Sequence, residues 1–254
     1  PGDPYGGLAE RATLIGRLRA KEAPFLLLDA GNMVSLFGDY EARGACVMRL
    51  MNLMGYDTAA AGPQELFRNT ASALAVAKAA KFPFLSASVV KKPARTPGFE
   101  PWIVKTTGGV RVGITAVSDS NAFIPDINRT FDYDVLPVGA AVKSALAAMK
   151  EAVDFVVVLS QMDTGANTKL LEENPSVDLV IEGRGNKHIE RPLAAGRGFV
   201  VAPGGRGQYV GIVTLAREGT SPARVARPEL VEVLDIPADK KAEEIVREYY
   251  RNVR

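Results

Sequence analysis

Short continuous apolar runs at 25–29, 155–159 and 177–181 alternate along this chain with helical periodicity at 7–22, Tyr40–Met54, 137–151 and Thr164–Glu173. A strand buried on both faces reads as an unbroken apolar run, and parallel neighbours need a crossover helix, so the pattern points to parallel strand–helix–strand units. Short strands expected at Thr58–Ala60 and 84–87 and a helix over 65–80 continue the theme. The runs 102–106 and 110–116, divided by Thr107-Gly108-Gly109, carry a hairpin signal. Strands expected at 198–202, Tyr209–Ala216 and 224–234 make the last third β-rich, and a charged helix over 238–251 closes the chain. A layered α/β/β/α sandwich with mixed sheets accommodates both halves.

The 254 residues are expected to form a single domain, 1–254, with the β-rich tail and closing helix beginning at about 198. The stretch 93–101 reads as a loop, and the polar, proline-interrupted 119–134 as a long loop across one face. With 31 basic and 29 acidic residues spread along the chain, there is no basic footprint for nucleic acid. No apolar run approaches the ~20 residues of a membrane span. The single cysteine, Cys46, lies in an apolar-periodic run and reads as a small buried hydrophobe, which leaves no disulfide within the chain.

Ligands of open α/β sheets gather beyond the carboxyl ends of strands. Those ends carry Asp29 and Asn32, Gln161 and Asp163, and Glu182, Arg184 and Asn186. The segments are Leu-Leu-Leu-Asp-Ala-Gly-Asn (26–32), Ala-Gly-Pro-Gln-Glu (61–65), Val-Leu-Ser-Gln (158–161), Ile-Glu-Gly-Arg-Gly-Asn (181–186) and the glycine-rich 203–211. Their order and flanks, with Gly6-Gly7-Leu8-Ala9 and Met51-Asn-Leu-Met-Gly-Tyr-Asp57, resemble the calcineurin-like metallophosphoesterases, within them the 5′-nucleotidase and cyclic-phosphodiesterase group. The resemblance covers roughly residues 6–216.

That resemblance implies two divalent ions held by carboxylates and imidazoles, and this chain departs from it at the ligand positions. Asn32 stands where the bridging aspartate is expected, Pro63 at an amide ligand, and Gln161, Arg184 and Asn186 at imidazoles. Gln64 stands at the histidine that protonates the leaving group or stabilises phosphoryl charge, a proton an amide cannot transfer. Anionic and imidazole donors offset the stripping of water from dications, whereas a fixed guanidinium repels them. Arg184 is therefore expected either to pair with Asp29 or Asp163, or to hold an anion together with Arg206. The single histidine, His188, reads as a surface residue, the glycines of 203–208 as a turn between strands, and Phe123, Phe131 and Tyr133 as anchors of the long loop. Asp39, Glu41 and Asp163 have no common ligand spacing for a relocated metal site.

The expectation is a non-catalytic, degenerate member of the fold with a binding or assembly role, no required cofactor, and another protein chain or a phosphate-bearing small molecule as partner. Two alternatives remain at this point. One is an active 5′-nucleotidase-type hydrolase with two divalent ions such as Mn²⁺ or Zn²⁺ on Asn32, Glu65, Asp163 and residues before Pro1; the other is an anion- or nucleotide-binding module built on Arg184. The family's opening Asp-x-His motif has no counterpart in 1–254, so an upstream segment or a partner is expected to cover a strand edge. The resemblance also implies an extracytoplasmic location.

Overall fold

The computed structural model describes residues 7–35, 38–123, 131–149, 153–219 and 221–252. Helix α1 (Leu8–Lys21) and strand β1 (Leu28–Asp29) lead to α2 (Tyr40–Met54), β2 (Thr58–Ala60), α3 (Pro63–Leu66), α4 (Thr70–Lys78) and β3 (Phe84–Leu85). Strands β4 (Val89–Lys91), β5 (Thr96–Pro97), β6 (Trp102–Thr107) and β7 (Val110–Val117) follow, then a 3-10 turn at Ser120–Ala122, β8 (Tyr133–Val135) and α5 (Val138–Met149). The chain continues with β9 (Phe155–Ser160), α6 (Thr164–Glu173), β10 (Leu179–Glu182), β11 (Leu193–Ala195), β12 (Gly198–Val201), β13 (Tyr209–Ala216), β14 (Arg224–Glu232) and α7 (Lys240–Asn252).

One sheet, ordered β1-β2-β3, is all parallel. A second, ordered β11-β12-β10-β9-β7-β6, is parallel through its centre, with the antiparallel strands β11 and β6 at its edges. Side-chain alternation along the strands sorts the apolar residues into layers. Ala59, Ala61 and Phe84 face the core formed with α1, α2 and α4, while Ala60 and Leu85 face the second sheet. On β9, Val157 and Leu159 face the first sheet, whereas Val156 and Val158 join Ala141 and Val142 of α5 and Leu170 and Leu171 of α6. The result is the expected α/β/β/α layering with mixed sheets.

Two further sheets flank these layers. The antiparallel ribbon β13-β14 lays Val213 and Leu215 on the core between the sheets. Its far end is fixed where Arg217 donates to the buried Asp178 carboxylate and lies 4.9 Å above the Phe155 ring. In the small sheet β5-β4-β8, β5 lies within one stretch read as a loop from sequence and β8 begins at the end of the other, while β4 falls between the expected strand at 84–87 and the first of these loops. Pro97 suppresses a strand signal there, yet it is tolerated because β5 is an edge strand.

Other departures have local causes. Strand β1 is shorter than the apolar run 25–29 because the Asp57 side chain takes the Leu27 N–H, at 2.8 Å, ahead of the ladder. The single helix expected over 65–80 is two, because Asn69 is extended and its side chain accepts from Ser72 N at 2.7 Å to start α4. Asn69→Ala is expected to cost about 1 kcal/mol, read from the denaturant midpoint. Cys46 is half-buried against the helical core rather than fully enclosed. The hairpin between β6 and β7 is as read: Gly108 and Gly109 have φ of 55° and 82°, which two-residue turns of this hand require. The end of the helix expected over 137–151 and the middle of the long loop lie outside the described residues. No helix among the described residues is long and apolar enough to cross a membrane.

Candidate functional site

Strands β1, β2, β9 and β10 end near one another at one edge of the sandwich, and Gly31, Gly62 and Gly183 let the loops after β1, β2 and β10 close together. After β1 the backbone turns through two left-handed residues, Gly31 at φ 96° and Asn32 at φ 63°. Asparagine is among the few residues with a side chain that occupy this region readily. A Cβ on Gly62 would fall 2.7 Å from Asn32 Oδ1, and one on Gly183 would fall 2.5 Å from Gln161 Nε2 and 2.7 Å from Ala30 O. The approach of the three loops therefore depends on these positions having no side chain.

A chain of amide hydrogen bonds runs through the centre. Gln64 N donates to Asn32 Oδ1 at 2.9 Å, Asn32 Nδ2 donates to Gln161 Oε1 at 2.7 Å, and Gln161 Nε2 donates to Ala30 O at 2.5 Å. Gln161 is fully buried. Beneath it, Glu65 accepts four backbone N–H bonds, from Asn32 and Gly62 through Oε2 (2.9 Å each) and from Met33 (2.9 Å) and Val34 (3.1 Å) through Oε1. Burial pushes the Glu65 carboxyl up to about 7 against the pull of those amides. Burial likewise raises the Asp29 carboxyl, which accepts from Gly31 N at 2.9 Å. On the other side, Glu182 accepts from the Thr164 hydroxyl and from Asn167 Nδ2, and Ser160 Oγ donates to Asn167 Oδ1 at 2.6 Å. This buried network pins the turn that carries Gln161.

The residues singled out from sequence are thus partly assembled. Asn32, Gln64 and Gln161 are in direct contact, and Pro63 opens α3 beside them. Asn186 lies against the Gly204–Gly205 turn, where its side-chain oxygen would sit 2.2 Å from a Cβ on Gly205. Arg184 Nη2 donates to Asn121 O at 3.0 Å. Neither carboxylate proposed for it forms an ion pair with it among the described residues: Asp29 serves Gly31, and Asp163 caps α6 through Ala166 N. Arg206 is exposed, at φ 57°, in the turn joining β12 to β13. His188 packs on Tyr209, ring centres 4.7 Å apart. Above the amide chain lies a pocket of about 130 Å³ walled by Asn32, Gln64, Phe67, Phe123, Phe131 and Tyr133.

The donor set at the centre is three carboxamides (Asn32, Gln64 and Gln161), a proline and backbone groups, and no cluster of three or more His, Cys, Asp or Glu occurs among the described residues. That set does not fit a pair of dications, because no anionic oxygen or imidazole bridges the position and Asn32 turns a donor N–H₂, not a lone pair, toward Gln161. The role of Glu65 was not apparent from sequence. The signal was present in its spacing from Gly62, since an acidic residue three positions on can reach back to the N–H that opens a helix.

No protein-family model matches the chain. The chain is 37% identical over 120 residues to a snake venom 5′-nucleotidase of Gloydius brevicauda, an alignment covering 44% of this chain and 20% of that protein. It superposes on a 5′-nucleotidase precursor of Thermus thermophilus with TM-score 0.84 at 23% identity, covering 98% of this chain and 54% of the other. It superposes on the calcineurin-like phosphoesterase YfkN of Bacillus subtilis with TM-score 0.77 at 18% identity, covering 99% and 90%. The chain spans between a fifth and a third of the curated 5′-nucleotidases from Gloydius brevicauda and Rattus norvegicus.

Proposed function

We propose, for a chain that has the calcineurin-like phosphoesterase fold and 5′-nucleotidases among its sequence relatives, a binding or structural role without two-metal hydrolysis. The observation that carries this reading is the Asn32–Gln161 hydrogen bond at the meeting point of three strand ends. There a neutral amide pair, extended to Ala30 O and Gln64 N, takes up the polar groups that a metal pair would need as ligands. A fold outlives its chemistry when strands and glycines persist and donors change.

The test is metal content and turnover on one preparation. After purification in Mn²⁺ or Zn²⁺, the chain is expected to carry substoichiometric metal and to hydrolyse nucleoside monophosphates no faster than a metal-free control. Two bound equivalents with turnover would reverse the proposal. The relatives' own names favour a second reading, an active 5′-nucleotidase-type hydrolase using Asn32, Glu65 and Asp163. Against it, the Glu65 carboxylate is engaged by four amides and Asp163 by its helix. An extracytoplasmic location forms part of the proposal and is supported by relatives named as snake-venom proteins.

A further inference from the structure

We infer that the pocket between Gln64 and the Phe123–Phe131–Tyr133 cluster binds one small, uncharged planar ring that carries a cyclic amide edge. This deepens the proposed binding role and rests on it. Size sets the first limit: about 130 Å³ is close to the roughly 150 Å³ of an apolar cavity that accepts benzene, so the pocket holds a single six-membered ring.

The walls set the second limit. Phe123 and Phe131 pack tilted on Tyr133 with ring centres 5.5 and 5.0 Å apart, and Phe67 adds a fourth ring, so the pocket offers aromatic faces and edges to a flat ligand. Its lining among the described residues holds no charged side chain, and an unpaired phosphate or carboxylate brought there loses its hydration without return.

The polar floor sets the third. Both polar ends of the Asn32 carboxamide are spent within the amide chain. Only the backbone N–H and C=O of Gln64 are engaged, whereas its half-buried side-chain amide forms no hydrogen bond among the described residues. A free carboxamide presents a donor and an acceptor side by side, and its complement is another N–H and C=O held cis, as in a lactam or imide ring. The rim is held in place: Asp119 Oδ1 accepts from Asn121 N (2.7 Å) and Ala122 N (3.1 Å), and Arg184 grips Asn121 O. Arg184 accordingly serves as a positioning residue for the turn that carries Phe123.

Titration calorimetry of the full chain with uracil, benzene and inorganic phosphate tests this. Uracil is expected to bind saturably, Gln64→Leu to weaken uracil about ten-fold while leaving benzene unchanged, and phosphate to compete with neither. Phe123→Ala is expected to weaken both rings. Absence of saturable uracil binding, equal affinity in Gln64→Leu, or displacement of uracil by phosphate would each overturn the inference. Thermal unfolding of both variants verifies that they are folded. Failure here with metal-free, inactive protein removes only the ring site, whereas bound metal with turnover removes the binding role itself.

Discussion

Replacing Glu65 with leucine is expected to lower the unfolding free energy by at least about 4 kcal/mol, because four backbone N–H groups lose a buried acceptor and each costs about 1–3 kcal/mol unsatisfied. For a domain of this size such a loss moves the thermal midpoint by about 10 °C. The carboxylate gathers Asn32, Met33 and Val34 from one loop and Gly62 from another, so its removal also opens the turn on which Asn32 sits. Glu65→Gln separates geometry from charge. One amide oxygen still accepts a pair of N–H bonds, while the –NH₂ faces the other pair donor to donor, so the variant should fall between wild type and leucine. Chemical denaturation of the three proteins gives the order; equal midpoints for wild type and leucine would show that the loops are held by other means.

The second large effect is expected at Gly183. A methyl there would sit 2.7 Å from Ala30 O, a backbone atom with no freedom to swing aside, and 2.5 Å from Gln161 Nε2. Gly183→Ala should therefore separate the β1 and β10 loops, break the Gln161–Ala30 hydrogen bond and cost about 2–3 kcal/mol, as overpacking of a tight site does. Gly139→Ala is the contrasting substitution: it lies in α5 with nothing within 4 Å, so the change should be neutral or stabilising by about 0.5–1 kcal/mol. A similar response at both glycines would contradict the crowding argument.

What was legible in the sequence follows from which interactions are local. Tyr40–Met54, Thr164–Glu173 and Tyr209–Ala216 carry their own periodicity and were read to the residue. Strands β4, β5 and β8 were not, because each is three residues or fewer: β4 and β8 depend on each other across a long stretch of chain, with Val89 opposite Val135 and Lys91 opposite Tyr133, and β5 is a two-residue edge strand containing Pro97. The break at Asn69 is written in a capping residue whose signal is weak beside a long alanine-rich stretch. At the site, the resemblance directed attention to Asn32, Gln64 and Gln161, but their contacts were not legible. Asn32 and Gln161 lie 129 positions apart, and only the folded sheets bring them within a hydrogen bond. The salt bridge anticipated for Arg184 likewise depended on which loop its long side chain would reach, and the 3-10 turn at Asn121 supplied a carbonyl instead.

Strand β2 carries nothing larger than a threonine, and its two alanines, Ala59 and Ala60, with Ala61 just beyond its end, point by turns into the helical layer and into the space between the sheets. It forms a thin partition whose two sides are separated by little more than backbone and methyl groups. A bulkier residue on one side has no long side chain to deform before the backbone itself must move. That backbone runs directly through Ala61 into Gly62 and Gln64, so swelling of the helical compartment, remote as it is, would be felt as a shift in the floor of the pocket.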